Sequence, residues 1–505
     1  MIGGVVDQLK RCLVSGGLTN QVSRQKMNKL NTIDDLINSP AVGGGIYFIG
    51  IGGIGMSALA RYFKSKGCTV NGYDKTETPL TKQLLAEGIR IHYEDNIALA
   101  PKDAQLVVYT PAIPKEHQEL NWYRLNGSTL MKRSEVLGLI SNSSFNICIG
   151  GTHGKTTITT MIAHLLRDSG YGCNAFLGGI SVNYQTNFWG SERNVCVIEA
   201  DEYDRSFLRL SPDIAVISSM DPDHLDIYGT EEALQDAFVA FGSKVKKGGA
   251  LLNKFGLKRG ADLKADRHFT YSRQNESADA YASNVKLTNG GYRFDVMMRD
   301  SMLAGIELHM GGMHNVENAV AAVTVAHLLE IDHQKIKAAV ASFKGIKRRF
   351  EYVIPPSAIP VEGRAGIIFI DDYAHHPEEL KALISGAKTL FSGKKCTVIF
   401  QPHLFSRTKD LADGFAESLD LADEVLLLPI YPARELPIEG VSSDTILSRM
   451  KNQHKRMIGK EELLKYIGTV FLSELKPGFT DVLITAGAGD IDALVQPIKA
   501  IIENR

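Results

Sequence analysis

Asn146-Ile147-Cys148-Ile149-Gly150-Gly151-Thr152-His153-Gly154-Lys155-Thr156-Thr157 reads as an apolar strand, a glycine-rich turn and the start of a helix whose pattern continues through Leu166. In such a turn the backbone N–H groups and the helix N-terminus converge on phosphates. Lys155 can then bridge a β- and a γ-phosphate, and the Thr156 hydroxyl can bind Mg²⁺. Gly151, Thr152, His153, Gly154 and Thr157 complete the candidate nucleotide cradle. The full P-loop pattern is not met, because Ile149 stands at its first glycine position and glycines follow at 150 and 151. An ordinary strand–turn–helix is the plainer alternative, but the lysine in this context favours phosphate binding.

Upstream, Ile46-Tyr47-Phe48-Ile49 leads into Gly50-Ile51-Gly52-Gly53-Ile54-Gly55, then a helical run from Met56 to Lys66 and a second strand from Thr69 to Tyr73. This is a βαβ unit with an unbroken G-x-G-x-x-G turn, and Asp74 follows Gly55 by 19 residues. The motif says that a pyrophosphate sits on a helix N-terminus, which NAD and a UDP-sugar satisfy equally.

Downstream, the strand Val195 to Ile198 ends in Glu199-Ala200-Asp201-Glu202-Tyr203-Asp204. Four carboxylates within six residues at the C-terminal edge of a sheet call for cations, and the strand aims Glu199 at the P-loop as a metal-bound acid would be aimed. Asp201, Glu202 and Asp204 read as supporting groups. The strand Ile214 to Ile217 runs on to Asp221-Pro222-Asp223-His224-Leu225-Asp226. There His224, among carboxylates, becomes a candidate for a second Mg²⁺ or for the transferring phosphate.

Residues 265–310 alternate apolar and polar positions, which predicts an antiparallel β insertion before a helix from Val316 to Leu329. Composition shifts at Lys347-Arg348-Arg349-Phe350, and Pro355-Pro356 and Pro360 mark a linker or loop. A third α/β block follows, with strands expected at Ile367–Ile370, Thr397–Phe400, Glu424–Leu428 and Val482–Thr485.

The whole chain of 505 residues, 44% apolar and 22% charged, is long enough for three domains. A net charge of -1 provides no global field for nucleic acid or an anionic membrane. The six cysteines show no C-x-x-C spacing, which argues against a disulfide or zinc framework. No apolar run reaches bilayer-spanning length and no signal peptide is visible, so a cytoplasmic protein is expected. A P-loop, a separate pyrophosphate domain and a third α/β domain together suit a reaction in which ATP activates one substrate for attack by another. A dehydrogenase would have no use for Lys155 and its carboxylates.

Gly50 to Ser57, Gly151 to Thr157, Glu199 to Asp204, Asp223-His224-Leu225-Asp226, His314-Asn315-Val316-Glu317-Asn318-Ala319, Arg348-Arg349-Phe350, Asp371-Asp372-Tyr373-Ala374-His375-His376-Pro377 and Gln401-Pro402-His403, in that order, resemble the signatures of the Mur ligases. The resemblance runs from about Gly45 to the C-terminus. It implies an α/β protein of three domains after an N-terminal extension (1–44). These are a Rossmann-like UDP-sugar domain (45–142), a central P-loop ATPase-type domain with the β insertion (143–347) and a C-terminal Rossmann-like amino-acid domain (348–505). It also implies ATP-dependent joining of L-alanine to UDP-N-acetylmuramate through an acyl phosphate, in peptidoglycan synthesis.

By the same resemblance Lys155, His224, Arg348 and His376 serve the chemistry, and Thr156, Glu199 and His224 hold Mg²⁺. Asn315 and Asn318 contact adenine, with helix capping as their plainer role, while Arg348 and Asp371 reach ATP or its ribose. Gly50, Gly52, Gly53, Ile54, Gly55, Asp74, Thr110, His376 and Arg407 face the substrates. Many members carry arginine directly after the Gln-Pro-His histidine; this chain has Leu404, which shifts the charge pairing to Arg407. A monomer or homodimer is expected. The rivals are a recycling ligase that adds a tripeptide to the same UDP-sugar, and an NAD-dependent oxidoreductase or NAD-binding protein fused to an NTPase.

Overall fold

The central strand β1 (Ile46–Ile49) is fully buried, as a parallel strand covered on both faces must be. Around it lie β2 (Val70–Tyr73), β3 (Arg90–His92), β4 (Leu106–Tyr109) and β5 (Thr129–Lys132), in the order β3-β2-β1-β4-β5. These strands pair in parallel, for instance Ile46 with both Val70 and Leu106. The crossover from β1 is helix α1 (Ile54–Ser65), two residues earlier than its apolar spacing suggests, because the G-x-G-x-x-G turn itself supplies the first helical turn. The computed structural model describes residues 45–356, 366–433 and 435–504; the expected N-terminal extension and Pro360 lie outside them.

A helix, α2 (Arg133–Asn142), leads into β6 (Phe145–Gly150), and helix α3 (Lys155–Asp168) follows the P-loop turn. Strands β7 (Asn174–Ser181), β8 (Thr186–Trp189), β9 (Val195–Glu199), β10 (Ile214–Ile217) and β11 (Ala250–Lys254) join β6 in the order β11-β10-β6-β9-β7-β8. Tyr62 of α1 packs its ring 5.3 Å from Phe176 of β7 and 6.1 Å from Phe188 of β8. The apolar residues of both sheets therefore form one continuous core. That is why residues 45–179, with Thr186–Thr270, belong to a single compact unit although they contain two α/β sheets.

The second unit comprises Ile180–Gln185 and Tyr271 onward. Strand β12 (Arg267–Ser272) carries the chain into it, followed by β13 (Ala280–Thr288), β14 (Gly291–Met298) and β15 (Met302–Leu308). The expectation of an antiparallel insertion holds for β13–β14 and β14–β15. It is corrected for β12, which pairs with β13 in parallel, because the alternation of a half-buried strand reports its face and not its direction. Helix α4 (Met313–Leu328) starts three residues before its expected position.

Beyond it β16 (Glu351–Ile354), β17 (Gly366–Asp372), β18 (Cys396–Phe400), β19 (Glu424–Leu427), β20 (Lys455–Met457) and β21 (Thr480–Ala486) form the order β16-β17-β21-β18-β19-β20. Separate apolar clusters cover this sheet's two faces. Among the described residues no helix is long and apolar enough to cross a membrane.

Candidate functional site

The P-loop turn is held in shape by two serines that follow β10. A Cβ on Gly151, whose φ is +137°, would overlap Ser218 Oγ and come within 2.8 Å of the Ser219 amide, so only glycine fits. The His153 amide donates to Ser219 Oγ over 2.7 Å, and the Thr152 hydroxyl lies 2.9 Å from the same oxygen. Gly154, at φ +81°, caps α3 in the left-handed region that a side chain resists. Thr156 and Thr157 are buried in the first turn of the helix.

Lys155 Nζ donates to the Gly151 carbonyl over 2.6 Å and to Glu202 Oε1 over 2.7 Å. Glu202 is almost wholly buried, with its side chain 1% exposed. Its second oxygen, Oε2, is buried without a hydrogen-bond partner. His224 Nε2 stands 4.0 Å from Glu202 Oε1 and 3.7 Å from Asp223 Oδ2. Glu202, Asp223 and His224 present ligand atoms that all lie within 4.8 Å of one another. Glu202 thus faces both Lys155 and His224. The signal in the sequence was its place three residues beyond Glu199, one turn on once the chain leaves β9.

Glu199 forms a second group. Its Oε1 accepts from the Thr156 hydroxyl over 3.0 Å and its Oε2 from the Gly178 amide over 3.0 Å. A Cβ on Gly178 would overlap that carboxylate. The three expected metal ligands are thus divided, Thr156 with Glu199 and His224 with Glu202. His224 and the stretch Asp204–Arg205 adopt positive φ, +50°, +54° and +59°, a strain that clusters at functional sites.

In the G-x-G-x-x-G turn of the same unit, Gly50 (φ +86°) lies against Thr110, whose Cγ2 would meet an added Cβ at 3.1 Å. The structure therefore brings Thr110 to the turn. Asp74 Oδ2 accepts from the Gly52 amide over 2.7 Å, and Gly53 caps α1. Ile54 is partly exposed beside them.

Arg133, which the motif reading did not single out, pairs with Asp201 over 3.2 Å. Arg61 of α1 is buried between Glu87, at 2.7 Å, and Asn187 of β8. Asn187 in turn donates to Ser57 Oγ over 2.9 Å. Nothing in the local pattern announces pairs this far apart along the chain.

In the second unit Arg348, at φ +61°, donates to the Gly487 carbonyl and lies 3.5 Å from Asp371 Oδ2. Asp371 accepts from Thr485 over 2.6 Å, and burial pushes its carboxyl up to about 7 against the opposing pull of that bond and of Arg348. Asp372, half-buried and accepting from the Phe350 and Ala374 amides, is pushed up to about 6 by desolvation.

His376 is exposed at the N-cap of the helix Pro377–Leu390, where its amide donates to Glu379. His375, by contrast, turns its ring to within 6.3 Å of His403. Arg407 Nη1 lies 3.5 Å from His403 Nδ1, and Tyr431 stacks on that imidazole. Burial lowers both His375 and His403, and Arg407 adds to it. The pair thus favours neutral rings. Leu404 holds a positive φ of 74°. Asn315 and Asn318 are buried inside α4, not at its cap; Asn315 donates to Gly311 and accepts from Asn318 over 3.0 Å.

Three family profiles match the chain in succession. Residues 45–144 match the profile described as Mur ligase family, catalytic domain; residues 149–326 match the Mur ligase middle domain, and residues 348–489 the Mur ligase, glutamate ligase domain. The chain is 48% identical to UDP-N-acetylmuramate–L-alanine ligase of Cytophaga hutchinsonii, over 91% of this chain and 97% of the relative. It is 47% identical to the enzyme of that name from Porphyromonas gingivalis, over 91% and 99%. Among solved structures it resembles the UDP-N-acetylmuramate-alanine ligase of Thermotoga maritima, with a TM-score of 0.74 and 27% identity across 91% of this chain and 98% of that one.

Proposed function

The chain belongs to the Mur ligase family, and from that premise we propose that it joins L-alanine to the lactyl carboxylate of UDP-N-acetylmuramate at the expense of ATP. The products are UDP-N-acetylmuramoyl-L-alanine, ADP and phosphate, and the reaction serves peptidoglycan synthesis in the cytoplasm. Residues 45–142 are assigned to the UDP-sugar, 143–347 to ATP and 348–505 to the amino acid. The observation that carries the reading is Lys155 of the P-loop standing between the Gly151 carbonyl and Glu202, beside His224. That is a cation and its counter-charges gathered where a phosphoryl group is to be handled.

Mg²⁺ fits these residues. Glu202 carries a buried oxygen that lacks a donor, and such an orphan is costly unless a cation or donor meets it. Thr156 with Glu199, and His224 with Glu202, offer the hard oxygen and imidazole donors such an ion takes. Bound MgATP supplies the phosphoryl group and the charge neutralisation that turn the lactyl carboxylate into an acyl phosphate.

The protein's own groups do the positioning. The P-loop amides and Lys155 hold the phosphates, with Gly151, Thr152, His153, Gly154 and Thr157 shaping the turn. The turn from Gly50 to Gly55, with Thr110 against it and Asp74 bracing Gly52, holds the UDP-sugar by its pyrophosphate on the N-terminus of α1. Asn315 and Asn318 carry amides of the kind that reads an adenine edge, and Arg348 and Asp371 are assigned to the nucleotide by their family motifs. The alanine carboxylate pairs with Arg407, with His376 at the edge of that site. Its amine must be neutral to attack. Collapse of the tetrahedral adduct then expels phosphate, while closure of the site excludes water from the acyl phosphate.

Phosphate release with UDP-N-acetylmuramate, ATP and a panel of amines tests the assignment. L-alanine should support turnover and the tripeptide should not. Turnover with tripeptide alone would assign the chain to the recycling reaction, and tight NADH binding without ADP formation would remove it from the ligases.

A further inference from the structure

In the motif reading, the third glycine of G-x-G-x-x-G serves close helix–strand packing. In this protein a Cβ on Gly55 would instead overlap the guanidinium of Arg133, with Arg133 Cδ at 3.2 Å. Arg133 is the first residue of α2 and lies over the opening turn of α1. Its guanidinium is partly exposed, at 27% for the side chain, and pairs with Asp201, whose side chain is 41% exposed. Asp201 stands two residues beyond Glu199.

These groups share one cavity of about 170 Å³ within the first unit, lined by Gly55, Arg133, Glu199 and Asp201 on its polar side and by Leu59 and Phe176 among its apolar walls. One end therefore opens on the turn proposed to hold the pyrophosphate, and the other on the carboxylate proposed to hold Mg²⁺. A UDP-sugar carrying a carboxylate has anionic oxygens to offer at both, and its acetamido and lactyl methyl groups suit the apolar walls.

We propose that Arg133 is a substrate-binding residue that exchanges Asp201 for an anionic oxygen of the UDP-sugar, so that Asp201 competes with the substrate for the guanidinium. The inference rests on the UDP-sugar reading above. An arginine fits the task because its planar fork pairs with carboxylate and phosphate oxygens in two parallel bonds, and an exposed pair to a lone aspartate is weak enough to yield. A side chain at Gly55 would displace the guanidinium from its place over the helix.

The experiment is titration calorimetry of the full chain with UDP-N-acetylmuramate, UDP-N-acetylglucosamine and ATP, on wild type, Arg133→Met, Arg133→Lys and Asp201→Asn. Arg133→Met should weaken UDP-N-acetylmuramate binding tenfold or more and leave ATP binding within twofold. Arg133→Lys should recover only part of that loss. Asp201→Asn should bind the UDP-sugar at least as tightly as wild type, because the competitor has gone.

The opposite signs distinguish recruitment from a merely structural ion pair, for which both variants would weaken binding alike. That result, or unchanged binding in Arg133→Met, overturns the proposal. An Arg133→Met loss shared by UDP-N-acetylglucosamine assigns the guanidinium to the pyrophosphate, and a loss confined to UDP-N-acetylmuramate assigns it to the lactyl carboxylate; either supports the exchange. Failure of the wild-type protein to bind either UDP-sugar would instead overturn the functional reading itself.

Discussion

Replacing Lys155 with methionine should do more than stop the reaction: it should destabilise the first unit, and Mg²⁺ should repair the damage. Lys155 Nζ lies 2.7 Å from Glu202 Oε1, and the two side chains are 15% and 1% exposed. Two unit charges at that separation attract by about 6 kcal/mol at an effective dielectric of about 20, before desolvation is subtracted. Removing one partner of a buried pair typically costs about 3–5 kcal/mol, because the other charge is left uncompensated. The loss falls on Glu202, which already has one oxygen without a donor.

Lys155→Met should accordingly lower the stability of this unit by about 3 kcal/mol. Glu202→Gln should cost somewhat less, since Lys155 keeps its bond to the Gly151 carbonyl, and the double variant should cost less than the two single ones summed. Urea unfolding in EDTA, followed through this unit's transition, gives a double-mutant cycle with an expected coupling of about 2–3 kcal/mol. Repeating it with Mg²⁺ should narrow the deficit of Lys155→Met, because the cation replaces the ammonium beside Glu202, while Glu202→Gln should gain little. Coupling below about 0.5 kcal/mol, or equal Mg²⁺ stabilisation of all four proteins, would refute the placement of Glu202 between the lysine and the metal.

Gly178→Ala should abolish turnover, because the new Cβ would come within 2.5 Å of Glu199 Cδ and displace the carboxylate from Thr156; near-normal turnover at ordinary Mg²⁺ would count against Glu199. Burial pushes Asp371 up to about 7, so the folded protein holds a proton that the unfolded chain releases near pH 4. Stability from this group is therefore greatest below that pH and declines as pH rises to about 7. Asp371→Asn should flatten this decline in pH-dependent thermal unfolding of the second unit, and an unchanged slope would show that Asp371 is ionised throughout. Arg407→Ala should raise the KM for L-alanine at least tenfold with little change in the KM for ATP; equal changes in both would remove Arg407 from the amino-acid site.

The parts of this fold legible in the sequence were those fixed by local chemistry. Gly151 to Thr156 between a strand and a helix, and Gly50 to Gly55 in the same setting, declare their turns because a glycine backbone and a helix N-terminus act within a few residues. The buried parallel strands announced themselves as short apolar runs. The direction of β12 was not legible, since alternation reports a face and not an orientation.

Nor were the pairs that cross long stretches of chain. Arg133 with Asp201, Arg61 with Asn187 and Lys155 with Glu202 depend on how whole elements dock, which no local window contains. The aromatic contact of Tyr62 with Phe176 and Phe188 likewise packs the first two sheets against each other. His375 and His376 were indistinguishable as neighbours; the helix beginning at Pro377 separates them, leaving His376 at its exposed cap and turning His375 toward His403.

The most direct test of the ligase assignment follows the oxygen of the activated carboxylate. UDP-N-acetylmuramate labelled with ¹⁸O in both lactyl oxygens is incubated with the protein, MgATP and L-alanine, and products are weighed by mass spectrometry. An acyl phosphate route predicts UDP-N-acetylmuramoyl-L-alanine retaining one labelled oxygen in the new amide, with the other in the released phosphate, one label per ADP formed. Phosphate free of label, or ADP formed without the amide, would contradict it.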